Sequence, residues 1–177
     1  EIGNKRSEGV YLGNLGGVLF KLQRLDEAEA VFRDAIPICE ETKPPAAGAF
    51  RGSLALLLAQ RGKTEEALIM LEEGEPQVVP HPGEHAKFLC KKGQACQLAG
   101  DTAAAQAALK QAQGIATDLK VLDNSELGQA IVELVAILEG QEPSEGNDED
   151  SSTEERELAL IEAERLMELG WIEHEQS

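Results

Sequence analysis

The chain has 177 residues, 42% of them hydrophobic, enough for one ordinary folded domain with an appendage. Aromatic residues make up only 3%, while Ala, Leu and Glu abound, a mix that favours helices packed closely through small side chains. A formal charge of −17 repels phosphate backbones and anionic lipid, which sets nucleic acid and membrane surfaces aside as partners.

The charge is concentrated at one end. Residues 141–177 hold 13 acidic side chains against Arg156 and Arg165. Cys39, Cys90 and Cys96 have no metal-type spacing and fall on predicted helices, so they read as buried free thiols in a reducing compartment. No apolar run approaches the roughly 18 residues of a membrane span, and no charged-then-apolar leader opens the chain. A soluble, cytoplasmic protein is the expectation. The opening without Met, on Glu1 to Arg6, reads as the connection of a longer array.

In chain order, the first predicted helix covers about 6–22, where Val10, Leu12, Leu15, Val18 and Leu19 give a broad apolar face. Its partner covers about 26–41, with Asp26 and Glu27 placing acid where the helix dipole favours it. Pro37 inside that span predicts a kink or an early end, and Pro44-Pro45 stops the helix. The second pair covers about 46–61 and 64–73, with Gly62 suited to a left-handed helix end and Thr64 to the next N-cap. Pro76, Pro80, Pro82 and Gly83 predict a loop. The third pair covers about 84–98 and 102–119, where Gly100-Asp101-Thr102 repeats the same stop and start. A final helix at about 125–138 has no matching partner and reads as a cap, with Ile131, Leu134 and Leu138 covering the third pair.

Residues 140–153 lack the apolar content to fold alone and predict an acidic flexible linker. From 154 to 177, Thr153 and the acids that follow it start a helix carrying Leu158, Leu160, Ile161, Leu166, Met167, Leu169, Trp171 and Ile172. Three parts result: a repeat domain at 1–139, the linker at 140–153 and an amphipathic C-terminal helix at 154–177.

The three pairs superimpose in one frame. Gly16, Ala55 and Gly93 lie 39 and 38 positions apart, and so do Ala28, Ala67 and Ala105; Phe32, Leu71 and Leu109; and Ala35, Gly74 and Ala112. A repeat of two helices and a tight turn implies units that bury their apolar faces on one another, with function on a surface.

These residues resemble the tetratricopeptide repeat family: small residues where paired helices touch, Gly at the intra-unit turn (Gly62, Gly100), Ala early in the second helix and a large apolar residue one turn on. The opening, with Leu12-Gly13-Asn14-Leu15-Gly16, is similar to the longer variant of about 40 residues. Gln23 departs from the turn Gly, and Lys92 from the apolar residue seen as Leu15 and Leu54. The resemblance implies an all-α superhelix, or solenoid, whose first helices line a concave groove. Carried onto this sequence, the inward positions are Val10, Gly13, Gly17 and Phe20; Ala49, Gly52, Leu56 and Ala59; Lys87, Cys90, Gln94 and Gln97. Small and apolar side chains suit an apolar helix face. Relatives that capture the carboxylate tails of chaperones use Lys, Arg and Asn at inward positions, where this chain has Gly13, Gly17, Leu56, Cys90 and Gln94.

Other constellations are weak. His81 and His85 have the spacing of two metal ligands on a helix, but Pro82 and Gly83 interrupt it, which predicts a solvated loop. His174 reads as solvent-exposed in the acidic tail. Asp148, Asp150 and Ser152 alternate like calcium ligands without the Gly and Glu such a loop needs. No nucleophile order, phosphate loop or zinc spacing appears. The expectation is a scaffold without enzyme activity, cofactor or metal, whose partner is a protein peptide or amphipathic helix. Leu160, Ala163, Met167 and Trp171 make a stripe on one side of the C-terminal helix, able to pack on the end of the stack or to enter a groove in the same chain or another. Two alternatives stand beside this: a self-assembly element that exchanges this helix, and a regulatory segment of a larger signalling protein.

Overall fold

The computed structural model describes residues 2–140 and 161. Seven helices follow one another there: α1 (Ile2–Lys21), α2 (Leu25–Thr42), α3 (Pro44–Gln60), α4 (Thr64–Val78), α5 (Pro82–Leu98), α6 (Thr102–Asp118) and α7 (Glu126–Leu138). No strand occurs among the described residues, so the fold is all-α. The chain divides into two units inside α3, between Ala47 and Gly48.

The turns carry the repeat most directly. Gln23, Gly62 and Gly100 have φ of 59°, 72° and 83°, and they recur at the same 39- and 38-residue spacing. Each closes the preceding helix with the same pair of bonds: Arg24 N donates to Leu19 O, Lys63 N to Leu58 O and Asp101 N to Cys96 O, all at 2.9 Å, and Gln23 N donates to Phe20 O, Gly62 N to Ala59 O and Gly100 N to Gln97 O, all at 3.0 Å. This left-handed closure satisfies carbonyls the helix end leaves open, and glycine adopts it without a Cβ penalty. Gln23 takes the conformation despite that penalty. The new helix begins two residues later in each case.

In the first unit, α1 and α2 pack antiparallel. A Cβ on Gly9 would lie 2.8 Å from Ile38 Cγ2, and one on Gly16 2.8 Å from Phe32 Cδ1. Glycine at both points lets the helices approach, while Phe32, Ala35 and Cys39 are sealed from solvent.

In the second unit, α3 lies on α4 through Gly48, whose Cβ would stand 2.7 Å from Gly74 O. Phe88 of α5, 1% exposed, fills the hollow left by Gly52 and Gly74; added Cβ atoms there would meet its ring at 2.7 and 3.0 Å. Ala86, Leu89 and Cys90 of α5 then form one core with Ala108 and Ala112 of α6 and Leu127 and Leu134 of α7. Ile131 and Leu138 pack against its edge. Small residues at the contacts explain how so few aromatics suffice.

Several sequence expectations require correction. Pro37 does not end α2, which continues to Thr42, and Pro76 lies within α4 instead of a loop. Both prolines are exposed, as are Arg33 and Glu72 four residues before them, so each proline sits on the solvent side of its helix, where water can serve the backbone that it disturbs. Thr64 is the first residue of α4, and Lys63 holds the cap position without a side-chain bond. Pro82 opens α5 at its first turn, where a missing N–H costs nothing, so His85 is helical and half-buried. The α1 helix also starts earlier than its apolar pattern does.

Candidate partner-binding surface

On α1, Val10, Gly17 and Phe20 are half-buried and Gly13 is buried. On α3, Ala49 is half-buried, whereas Gly52 lies under Phe88, and Leu56 and Ala59 are each only 7% exposed. Every residue from Arg51 to Ala59 is buried, the pattern of a helix enclosed on all sides. On α5, Lys87, Gln94 and Gln97 are half-buried, and Cys90 belongs to the core shared with α6 and α7. Within each unit, the side chains left within reach of a partner are therefore Val10, Gly17 and Phe20 in the first, and Ala49, Lys87, Gln94 and Gln97 in the second.

The α5 residues sit in a polar setting that local sequence does not announce. Lys87 Nζ donates to Glu126 Oε2 at 2.6 Å and reaches Glu84 Oε1 at 3.5 Å. The bond that Lys87 donates to Glu126 raises the Lys87 pKa despite partial burial. Gln97 Oε1 is shut from solvent with no hydrogen-bond partner. Lys91 Nζ donates to Ser53 Oγ at 2.7 Å, and Lys92 Nζ to Glu75 Oε2 at 2.6 Å. His85 Nε2 lies 3.4 Å from Glu75 Oε1. Burial pushes the Glu75 carboxyl up, but the bonds and charges of Lys92 and His85 outweigh it and hold the pKa below its ordinary value. Arg51, nearly buried, bonds Glu73 at 3.3 Å and Gln77 at 2.9 Å. Apart from Lys87–Glu84 on one helix, these pairs are 10 to 39 residues apart in sequence, so no periodicity points to them.

Lys92 thus has a role at the position where the repeat pattern expects an apolar residue. It ties α5 to α4 through a half-buried carboxylate.

The thiols are inert by placement. Cys39, Cys90 and Cys96 are free and buried. Burial, with the charge of Glu133 adding to it, pushes the Cys90 pKa to about 11, far from thiolate chemistry at neutral pH. Among the described residues, no three His, Cys, Asp or Glu side chains converge as a metal set, and no helix is long and apolar enough to cross a membrane. Asp148, Asp150, Ser152 and His174 lie outside the described residues, as do Leu160, Ala163, Met167 and Trp171 and the expected linker.

Consecutive helix pairs, closed by left-handed turns in one register and joined through small residues, define an all-α helical-repeat protein. The family model described as tetratricopeptide repeat matches residues 7–76, and a second model of the same description matches 86–118. The chain belongs to the tetratricopeptide repeat family. No curated protein matched it in the comparison made.

Proposed function

We propose that the chain is a protein-interaction module without chemistry of its own, which takes an amphipathic helix of its partner on the first helix of a pair. The observation that carries this reading is the α5 surface. Lys87, Gln94 and Gln97 share the side of the helix that the family uses for partners and remain half-open, while the neighbouring apolar positions are consumed by packing. Lys87 brings a cation, and Gln94 and Gln97 bring half-open amide side chains. Binding then draws its specificity from α5, with apolar contact from Ala49 in the same unit.

The test is selection of binders from a displayed library of helical peptides, followed by titration against the intact chain and against Gln94→Arg. A selected peptide should bind the substituted chain at least about tenfold more weakly, a loss of about 1.4 kcal/mol. Unchanged affinity would refute the α5 surface as the site. Far-UV circular dichroism should stay constant, because Gln94 is half-exposed.

A further inference from the structure

Resting on the reading of the first-helix side as a docking surface, we propose that residues 154–172 of this same chain occupy α1 and so compete with an outside partner. Val10, Gly17 and Phe20 lie at seven- and three-residue steps and form a single half-open strip along the helix. The strip is separate from Gly9 and Gly16, which are spent against α2. At Gly17 a Cβ would meet nothing within 4 Å, so a notch remains beside half-buried Val10 and Phe20. A helix can approach closely at such a point.

Charge selects the occupant. Along α1, Lys5, Arg6 and Lys21 are exposed near its two ends against Glu8, a basic helix in a chain of formal charge −17. Residues 154–177 carry eight acidic side chains and two arginines. Length agrees as well. Wound as a helix, Leu160 to Trp171 spans about 16 Å, and Val10 to Phe20 about 15 Å. Ala163 supplies a small residue where a close approach needs one. The 13 residues 141–153 extend to about 45 Å at most, and a covalent tether of this kind raises the segment's effective concentration, so it need not bind tightly.

Trp171 is the chain's only tryptophan and reports the segment directly. In the intact chain its emission should be blue-shifted and its acrylamide quenching several-fold slower than that of free N-acetyltryptophanamide. Gly17→Glu places a carboxylate in the open notch without touching the α1–α2 contact, and it should raise quenching several-fold with unchanged helicity. A double change, Leu160→Asp with Met167→Asp, should do the same from the other side and strengthen binding of a library-selected peptide that contacts α1. Trp171 as quenchable in the unmodified chain as the free compound would overturn the proposal, and so would no response to Gly17→Glu. Shielding lost on dilution, together with a halving of mass, would place the segment on a second copy and overturn docking within one chain. None of these outcomes touches the Gln94→Arg titration, so the interaction-module reading stands or falls separately.

Discussion

Gly93 and Leu134 form the joint between the third helix pair and α7, and substituting both in a cycle tests whether that joint is a packed contact. A Cβ on Gly93 would stand 2.6 Å from Leu134 Cδ2 and 3.1 Å from Cδ1. Leu134 is fully buried in the core shared by α5, α6 and α7. Gly93→Ala alone should destabilise: overpacking costs about 1–3 kcal/mol, and the gain of about 1 kcal/mol from replacing glycine within a helix offsets only part of it. Leu134→Ala alone should cost about 2–5 kcal/mol through lost transfer energy and the cavity left. In the double variant the alanine methyl from position 93 enters the space vacated by Leu134. The combined loss should then fall short of additivity by about 1–2 kcal/mol, within the range for residues in contact. Urea unfolding followed by circular dichroism reads all four proteins. Additive losses, or a Gly93→Ala chain more stable than the parent, would refute the contact and with it the role of α7 as the cover of the third pair.

Gln23→Gly should stabilise the chain by up to about 1 kcal/mol, because it relieves a left-handed backbone at φ 59° that costs a residue with a Cβ about 1–2 kcal/mol, less the extra entropy glycine loses; a lowered urea midpoint would count against the turn as drawn. Glu75 titrates below an ordinary carboxylate in the folded chain, so its contribution is complete above the unfolded value of about 4.3 and disappears as pH falls through the folded value. The parent should therefore lose stability more steeply below about pH 5 than Glu75→Gln, and parallel acid-unfolding curves would show that Lys92 and His85 do not stabilise the carboxylate.

Much of the fold was legible because it rests on local chemistry repeated in register. Gly62 and Gly100 announce left-handed helix ends, Asp101 a cap that accepts from Ala104 N at 2.9 Å, and the small residues a close pairing of helices. The prolines misled for an equally local reason. A proline forbids one hydrogen bond, but whether that ends a helix depends on whether the freed carbonyl can face water, and this is set by which side of α2 and α4 the core takes. The same limit governs the surface. Repeat register makes Gly17, Leu56 and Gln94 equivalent, yet Leu56 is buried while Gly17 and Gln94 are half-open. Likewise Gly16 and Gly93 hold one position in the repeat, but the first receives Phe32 of its own pair and the second Leu134 of α7.

The sequence by itself determined the helices, their turns and their pairing, since each follows from residues within a few positions of one another. Only the tertiary structure decided which side chains remain open to a partner and which polar groups meet across helices, such as Lys92 with Glu75 and Lys87 with Glu126. Burial and ion pairing depend on neighbours tens of residues away, and no spacing along the chain encodes them.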